Sequence, residues 1–354
     1  MPQRWKHAPA GSHWGEFGPD DQLGRMNLVD RGKVLQGMDE VRDGITFCLS
    51  LPLDFPGGTG LHARRSPPQR YAIVRDGESA GEQGFCWPVA HEEPGFSDVM
   101  SDDMVLMSLQ YSTQWDSFAH VGALFDADGD GVDEPVYYNG FAGGIDIVPA
   151  QEDPAALAPW ARFPQPQVRA LGIENLAEHG VQGRAVLVDL AHHLGRRRKA
   201  VGYDELMRVL DEDGIVIEPG DMVCLHTGFA DALIQMNRKP DLQRLLETGC
   251  GLDGHDERLL NWIIDVRLAC LIADNLAVET ISPRLGVSAS ERRPRLPLHA
   301  HCLFKNGIHL GELWYLTPLA EWLRAHGRNR FLLTAPPLRL PGAVGSPVTP
   351  IATV

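Results

Sequence analysis

The chain has 354 residues, of which 44% are hydrophobic and 22% charged, and its formal net charge is −15. This composition is typical of a globular protein with a large buried core. The negative charge argues against proteins that bind nucleic acid or anionic membranes, since both partners require basic surfaces.

The cysteines and the N-terminus predict a cytoplasmic protein. No C-x-x-C pair is present, and Cys224 and Cys270 lie inside apolar runs, where a reduced thiol behaves as a small hydrophobic group. The first residues lack the apolar core of a secretory signal, and no run approaches eighteen apolar residues. We therefore expect no membrane segment.

The predicted elements alternate in type along the chain. An irregular segment over 1–30 precedes a helix at 33–42, a strand at 45–51 and long loops over 55–100. Short apolar runs then predict buried strands, and periodic segments predict helices. The strands are expected at 185–190, 222–227, 268–273 and 330–334, and the helices at 203–210, 257–266 and 317–327. This alternation predicts a mixed α/β fold in one domain over 31–340, followed by a C-terminal tail over 341–354.

The segment 109–121, LQYSTQWDSFAHV, is the most informative part of the sequence. In a strand, alternate side chains share a face, so Gln110, Ser112, Gln114 and Asp116 would point one way, with His120 following after a short break. A polar face of this kind is typical of a site for a metal ion, a polarised carbonyl or an attacking water.

An acidic run over 126–134, DADGDGVDE, is similar to the opening of a calcium-binding loop. An EF-hand requires a glutamate at the twelfth position, which here is Tyr137, and Pro135 would interrupt the exit helix. The run therefore favours a glycine-rich acidic turn, with incidental calcium binding as the alternative.

The 109–121 segment resembles the signature H-x-G-T-H-x-D-x-P-x-H of the kynurenine formamidase-like family, which includes isatin hydrolases and proteins described as cyclases. Thr113, Asp116 and His120 match this signature. Four positions depart from it: Gln110 and Gln114 replace histidines, Ser112 replaces the glycine and Phe118 replaces the proline. The resulting T-Q-W-D form is typical of one branch of the family. Further segments at 14–29, 220–229, 271–279 and 297–316 also resemble the family, so the likeness extends over roughly 14–322.

The resemblance implies a swivelling β/β/α fold and a metal centre. Gln110, Gln114 and Asp116 would face a first ion, and Asp116, His299 and Glu312 a second one, with His301 as the alternative to His299. His120 would be the general acid/base. The oxygen-rich donor set favours Mn or Mg, while Zn, the other metal expected from the family, prefers imidazole. Trp115 and Trp314 would line a pocket for a flat substrate ring, with core packing as their other role.

The implied function is that of a metal-assisted hydrolase acting on C–N bonds other than peptide bonds. It would open an amide, lactam, imide or lactone bond of a small cyclic or aryl-amide substrate, with Asp116 holding the ion. Two alternatives remain at this stage: a cyclase or dehydratase that needs no metal, and an inactive relative that only binds a small molecule. The resemblance also implies a homodimer or homotetramer.

Overall fold

A computed structural model describes residues 3–73, 84–151, 165–281 and 293–354. The fold is built on one mixed sheet of nine strands, which lie in the order β1-β9-β7-β3-β4-β5-β6-β2-β8. The strands are β1 (Thr46–Cys48), β2 (Gln114–Asp116), β3 (Gln182–Val188), β4 (Met222–Leu225), β5 (Cys270–Ala273), β6 (His309–Glu312), β7 (Arg330–Thr334), β8 (Gly345–Pro347) and β9 (Ile351–Thr353).

The centre of the sheet is parallel and its two sides are antiparallel. Strands β3, β4, β5 and β6 run parallel to one another. On one side β7 pairs antiparallel with β3 and β9, and on the other β2 pairs antiparallel with β6 and β8. Strand β2, which carries the sequence motif, is therefore enclosed between two neighbours.

Helices cover both faces of the sheet. Among the described residues the α-helices are α1 (Arg31–Met38), α2 (Glu174–His179), α3 (Leu190–Leu194), α4 (Tyr203–Glu212), α5 (Phe229–Met236), α6 (Leu242–Leu246), α7 (Glu257–Asp265), α8 (Pro297–His299) and α9 (Thr317–Ala325). Helix α8 continues directly into a π-helix over Ala300–Asn306. In these described parts of the chain, no helix is long and apolar enough to span a membrane.

Period-two alternation in the parallel strands divides the core into two layers. In β4, Val223 and Leu225 join the layer that contains α4 and α7, whereas Met222 and Cys224 join the layer that contains α9. Because both faces are covered, each residue of β4 is buried. This is why the parallel strands are continuous apolar runs in the sequence.

Five two-stranded ribbons surround the sheet. They pair Gln69–Ala72 with Asp103–Leu106, Trp87–Pro88 with Val99–Met100, Ala123–Phe125 with Glu134–Val136, Ile147–Gln151 with Gln165–Val168, and Lys199–Val201 with Cys250–Leu252. The predicted loop region 55–100 therefore contains short strands, and its residues 74–83 lie outside the described part of the chain.

The predicted single-domain α/β fold with a mixed sheet is confirmed, with one correction at the C-terminus. Residues 341–354 were expected to form a tail, but β8 and β9 lie within this stretch and pair with β2 and β7. Short strands with glycine and proline carry too little periodic signal to be recognised in a sequence. The polar strand β2 thus gains its second neighbour from the last residues of the chain.

A buried histidine joins three elements on one side of the sheet. His226 lies within hydrogen-bond distance of Asp189 (2.7 Å) and of the Thr317 hydroxyl (3.1 Å). Burial lowers the pKa of His226, but the bond to Asp189 and nearby carboxylates raise it overall. Burial raises the pKa of Asp189, but its partners, His226 first, lower it overall. This pair stabilises the fold away from the polar strand.

Candidate functional site

The polar motif forms a strand over only three of its residues. Strand β2 covers Gln114–Asp116, and residues 109–113 are turns and bends. Gln114 and Asp116 share a face as predicted, but Ser112 instead directs its hydroxyl to the carbonyl oxygen of Pro52 (3.3 Å). The predicted row of four polar side chains is therefore shorter than the sequence pattern indicated.

Strand register brings a glutamate to the polar face of β2. Glu312 of β6 lies opposite Gln114, and directly opposed residues of antiparallel strands point to the same side. Both side chains are buried, and Nε2 of Gln114 donates to Oε2 of Glu312 at 2.9 Å. Two segments nearly 200 residues apart in sequence thus share one polar surface.

His299, at the end of α8, completes the cluster. Its Nε2 lies 3.1 Å from Oε1 of Glu312 and 3.9 Å from Oδ2 of Asp116. One ligand atom from each of Asp116, His299 and Glu312 falls within 4.8 Å of the others, and all three side chains are buried. This spacing suits three side chains that coordinate one ion.

Two oxygens of the cluster have no hydrogen-bond partner among the residues that the structure describes. Oε1 of Gln114 and Oδ2 of Asp116 are both buried and unpaired. An unpaired buried polar atom costs about 1–3 kcal/mol, and more when it carries charge, so native proteins seldom keep one without a function. Both oxygens therefore have lone pairs free to bind a ligand, next to the Glu312 carboxylate and the His299 imidazole.

Glu279 holds His299 from its other ring nitrogen. Its carboxylate accepts hydrogen bonds from Nδ1 of His299 (2.8 Å) and from the backbone N–H groups of His299 (3.0 Å) and Leu298 (3.1 Å). Metal-binding histidines usually make such a bond to a carboxylate, which fixes the ring and its tautomer. Glu279 was missed as a site residue because an acid following a buried strand has no distinctive sequence signal.

The protonation of the cluster reflects an excess of buried negative charge. Burial, together with the charge of Asp116, raises the pKa of Glu312 to about 7. Burial lowers the pKa of His299, but the bonds to Glu279 and Glu312 outweigh it and raise the pKa to about 10. A single imidazolium faces several carboxylates, so the site favours an additional cation.

His120 lies between the cluster and the solvent. Its Nε2 is 3.9 Å from Oδ1 of Asp116, and its side chain is 23% exposed. Burial lowers its pKa, and the charges of His299 and Arg65 add to this effect, while Asp116 opposes it. The ring is therefore neutral near pH 7 and reaches both the acidic cluster and water.

The structure separates the two histidines that the sequence left as alternatives. His299 is part of the cluster, whereas His301 follows on the π-helix and is not in the group formed with Asp116 and Glu312. Burial lowers the pKa of His301 to about 4, and its Nε2 has no partner. His301 lies two helical steps of about 100° each beyond His299, so the two rings point to nearly opposite sides of the helix.

Gln110 lies in a turn before β2 and shows no hydrogen bond from its side chain to the cluster within the described residues. Its side-chain amide nitrogen would lie 2.7 Å from a Cβ atom placed on Gly345, the residue opposite Asp116. Gly345 thus leaves room for Gln110 beside the strand. The two glutamines that replace the signature histidines therefore differ in position: Gln114 is in the cluster and Gln110 lies at its edge.

Of the two roles expected for Trp115 and Trp314, pocket lining or core packing, their positions support core packing. Both are fully buried and pack against each other with ring centroids 5.2 Å apart. Nε1 of Trp115 donates to the carbonyl oxygen of Ala335 at 2.8 Å. Because residues alternate along a strand, Trp115 points away from Gln114 and Asp116, into the opposite layer of the core.

His309, another residue that the sequence reading did not select, supports the backbone of the site. Its Nδ1 lies 2.9 Å from the carbonyl oxygen of Asp116, and its ring stacks on Phe118 at a centroid distance of 4.0 Å. It fixes the end of β2 and leaves the cluster face free. The signature's proline position, here Phe118, thus has a packing role.

The acidic turn forms a second group of carboxylates at the surface. Ligand oxygens of Asp126, Asp128, Asp130 and Glu134 lie within 4.8 Å of one another. Asp126 accepts hydrogen bonds from the backbone of Gly129, Asp130 and Gly131, as expected for an acidic turn.

A cavity of about 340 Å³ is lined in part by Glu279, the carboxylate that holds His299. Its walls are mostly apolar and include Leu61, Phe229, Leu245 and Leu276. This volume lies within the usual range for small-molecule sites, about 300–1,000 Å³. A small organic ligand therefore has space beside Glu279, although Asp116, His299 and Glu312 are not among the described residues that line this cavity.

Comparison with known proteins concerns the family and the fold of the chain. The model of the cyclase family, described as "Putative cyclase", matches residues 49–280. A solved structure described as a novel cyclase matches 97% of both chains with 28% identity and a TM-score of 0.70. No curated protein sequence matches the chain.

Two isatin hydrolase structures share the fold. Isatin hydrolase A from Labrenzia aggregata, bound to benzyl benzoate, matches 90% of this chain and 95% of its own, with 13% identity and a TM-score of 0.52. An isatin hydrolase bound to the product analogue thioisatinate matches 91% of this chain and 95% of its own, with 11% identity and a TM-score of 0.51. At these identities the likeness concerns the fold alone.

Proposed function

Because the chain belongs to the cyclase family, we propose that it is a metal-assisted hydrolase. It opens an amide, lactam, imide or lactone bond of a small cyclic or aryl-amide substrate. The observation that carries this proposal is the pair of unpaired buried oxygens, on Gln114 and Asp116, beside the His299 and Glu312 side chains. The isatin hydrolases of the same fold suggest a bicyclic lactam as the first substrate to test.

The residues present fit one divalent cation. Asp116 and Glu312 would supply carboxylate oxygens, His299 one imidazole nitrogen, and Gln114 a neutral amide oxygen. This donor set contains three oxygens and one nitrogen, which favours Mn or Mg over Zn. Before the ion binds, Nε2 of His299 must lose its proton, so metal binding releases protons.

The side chains divide the chemistry among them. The bound ion supplies Lewis-acid activation of the scissile carbonyl and of a water molecule. His120, neutral near pH 7, accepts a proton from the attacking water and returns it to the leaving nitrogen. Glu279 keeps the His299 ring oriented, and the apolar cavity that Glu279 also lines offers space for a substrate ring.

The proposal is tested by metal analysis and turnover together. Protein purified without chelator is expected to contain a divalent metal in stoichiometric amount, and to hydrolyse isatin, an aryl formamide or a simple lactam in the presence of Mn²⁺. Asp116→Ala and His120→Ala should both abolish turnover while folding is retained. If both variants keep wild-type turnover, the assignment of the site is wrong.

A matched pair of histidine variants separates the cluster from its surroundings. His299→Gln should lose the bound metal, whereas His301→Gln, two residues further along, should keep it. If only His301→Gln loses the metal, then His301 and not His299 is the ligand. A metal-free protein that still turns over a substrate would instead favour acid–base chemistry by a cyclase or dehydratase, and binding of these compounds without turnover would favour an inactive binder.

We also propose that the protein is a homodimer or homotetramer. The ribbon strand Asp103–Leu106 is exposed along its whole length, including Met104 and Val105. A two-stranded ribbon is only marginally stable in water when neither face is covered, so a second subunit would stabilise it. Light scattering that shows a monomer would remove this proposal.

A further inference from the structure

Three arginines near the candidate site, which we call its entrance, carry positive charge although the chain as a whole is acidic. Arg64 and Arg65 lie in a loop that precedes the first ribbon, and Arg295 lies just before α8. Within the described residues, none of these three arginines forms an ion pair with a carboxylate. Nearby Arg70 and Arg238, by contrast, each pair with an aspartate.

Hydrogen bonds anchor this loop beside the polar strand. The N–H of Arg65 donates to the carbonyl oxygen of His62 at 3.0 Å, which closes a turn. The guanidinium of Arg65 donates to the carbonyl oxygen of Gln110 at 2.8 Å, and Gln110 in turn lies against Gly345, opposite Asp116. Arg65 therefore lies at the edge of the cluster, only partly exposed.

The electrostatic interactions agree with this placement. The pKa of His62 is lowered first by burial and then by the charges of Arg65, Arg64, Arg295 and His120. The charges of Arg64, Arg65, Arg295 and His120 therefore all act on His62, and Arg65 also acts on His120, which is partly exposed beside Asp116. Like charges that gather without carboxylate partners favour an anionic ligand.

We propose that this entrance, defined by Arg64, Arg65 and Arg295, binds a carboxylate group of the substrate. The proposal rests on the proposed function, since it names the chemical class of the compound hydrolysed at the cluster: an aryl or cyclic amide that also carries a carboxylate. Arginine is suited to this task because its planar guanidinium binds a carboxylate through two parallel hydrogen bonds. The scissile bond would then face His120.

Equilibrium binding of two simple probes tests the carboxylate site. Benzoate and benzamide have nearly the same shape and differ in charge. Calorimetry should show that wild-type protein binds benzoate at least tenfold more tightly than benzamide, both with Mn²⁺ and after EDTA treatment. The preference should weaken as NaCl is added, because salt screens exposed charges.

Three variants and one control assign the preference to these arginines. Arg65→Gln and Arg295→Gln should each reduce benzoate affinity about tenfold, the effect of losing one charge-assisted contact. Arg65→Lys, which keeps the charge, should retain most of it. The control is Arg31→Gln, which removes an exposed arginine at the start of α1 and should leave both affinities unchanged.

The outcomes distinguish the carboxylate site from the hydrolase proposal. Equal binding of benzoate and benzamide, or an equal loss in Arg31→Gln, overturns the carboxylate site whatever the protein hydrolyses. A benzoate preference that depends on Arg65 and Arg295 and persists in EDTA supports it, even if no amide is turned over. Turnover of formanilide that is no slower than that of 4-formamidobenzoate, at equal subsaturating concentrations, also contradicts the proposal.

Discussion

Replacing Asp116 by asparagine should have opposite effects on the protein with and without metal. Asp116 is fully buried, one of its oxygens is unpaired, and its charge raises the pKa of Glu312. In EDTA, Asp116→Asn removes one of two mutually repelling carboxylates, so the variant should be at least as stable as the wild type. In Mn²⁺ it should lack the stabilisation that the wild type gains.

The size of this gain follows from linkage. A ligand that binds only the folded state at 100 times its Kd stabilises it by about 2.7 kcal/mol. At about 2.1 cal/mol/K for each of 354 residues, the unfolding entropy is about 0.7 kcal/mol/K. The wild type should therefore melt about 4 °C higher in saturating Mn²⁺ than in EDTA, and Asp116→Asn should show no shift.

Thermal unfolding in a Mn²⁺ titration measures both effects, and the acidic turn provides the matched control. Asp130→Asn removes a carboxylate from the exposed group, which also consists of oxygen donors. This control should keep the shift of about 4 °C if the ion binds at the buried cluster. The reasoning is refuted if Asp116→Asn retains the shift or if Asp130→Asn abolishes it.

Three further predictions concern the strand, the general base and the fold. His120→Gln should lower turnover at least about 100-fold while keeping the Mn²⁺-induced rise in Tm, since it removes the base and no proposed ligand. Gln114→His should tighten Zn²⁺ binding in calorimetry, because imidazole is the better zinc ligand; unchanged affinity would mean that position 114 does not face the ion. Asp189→Asn should destabilise the protein by about 3 kcal/mol in urea unfolding near pH 5, because it removes the carboxylate that pairs with the buried His226 imidazolium. Because the pKa of Asp189 is lowered, its contribution to the free energy of unfolding is lost as pH falls below about 4. Because the pKa of His226 is raised, its contribution is lost as pH rises above about 6.5. A destabilisation by Asp189→Asn that is constant from about pH 3 to 9 would contradict this account.

The parallel part of the fold could be predicted from the sequence because burial on both faces leaves a clear pattern. The run ending at Val188 and the run Met222–Leu225 contain almost only apolar residues, and each forms a central strand. The C-terminal strands could not be predicted, since Gly345–Pro347 has neither apolar alternation nor length. Its pairing with β2 depends on tertiary contacts that no local pattern encodes.

The site residues also fall into two groups: those predictable from neighbouring residues in the sequence and those placed by contacts between distant segments. Gln114 and Asp116 could be placed on one face because they are two residues apart in a strand. The same rule places Trp115 on the opposite face, in the core, which is one of the two roles that its residue type suggested. Glu279 and Arg65 could not be found from sequence, because their relation to His299 and Gln110 depends on how distant segments meet.

Diffraction at the manganese absorption edge tests the central claim most directly. Crystals grown with Mn²⁺ should give one strong anomalous peak among the side chains of Asp116, His299 and Glu312, within reach of Oε1 of Gln114. The same peak should be absent from crystals of Asp116→Asn. A peak found only at the acidic turn around Asp126, or none at the buried cluster, would contradict the proposal that this site holds a divalent metal.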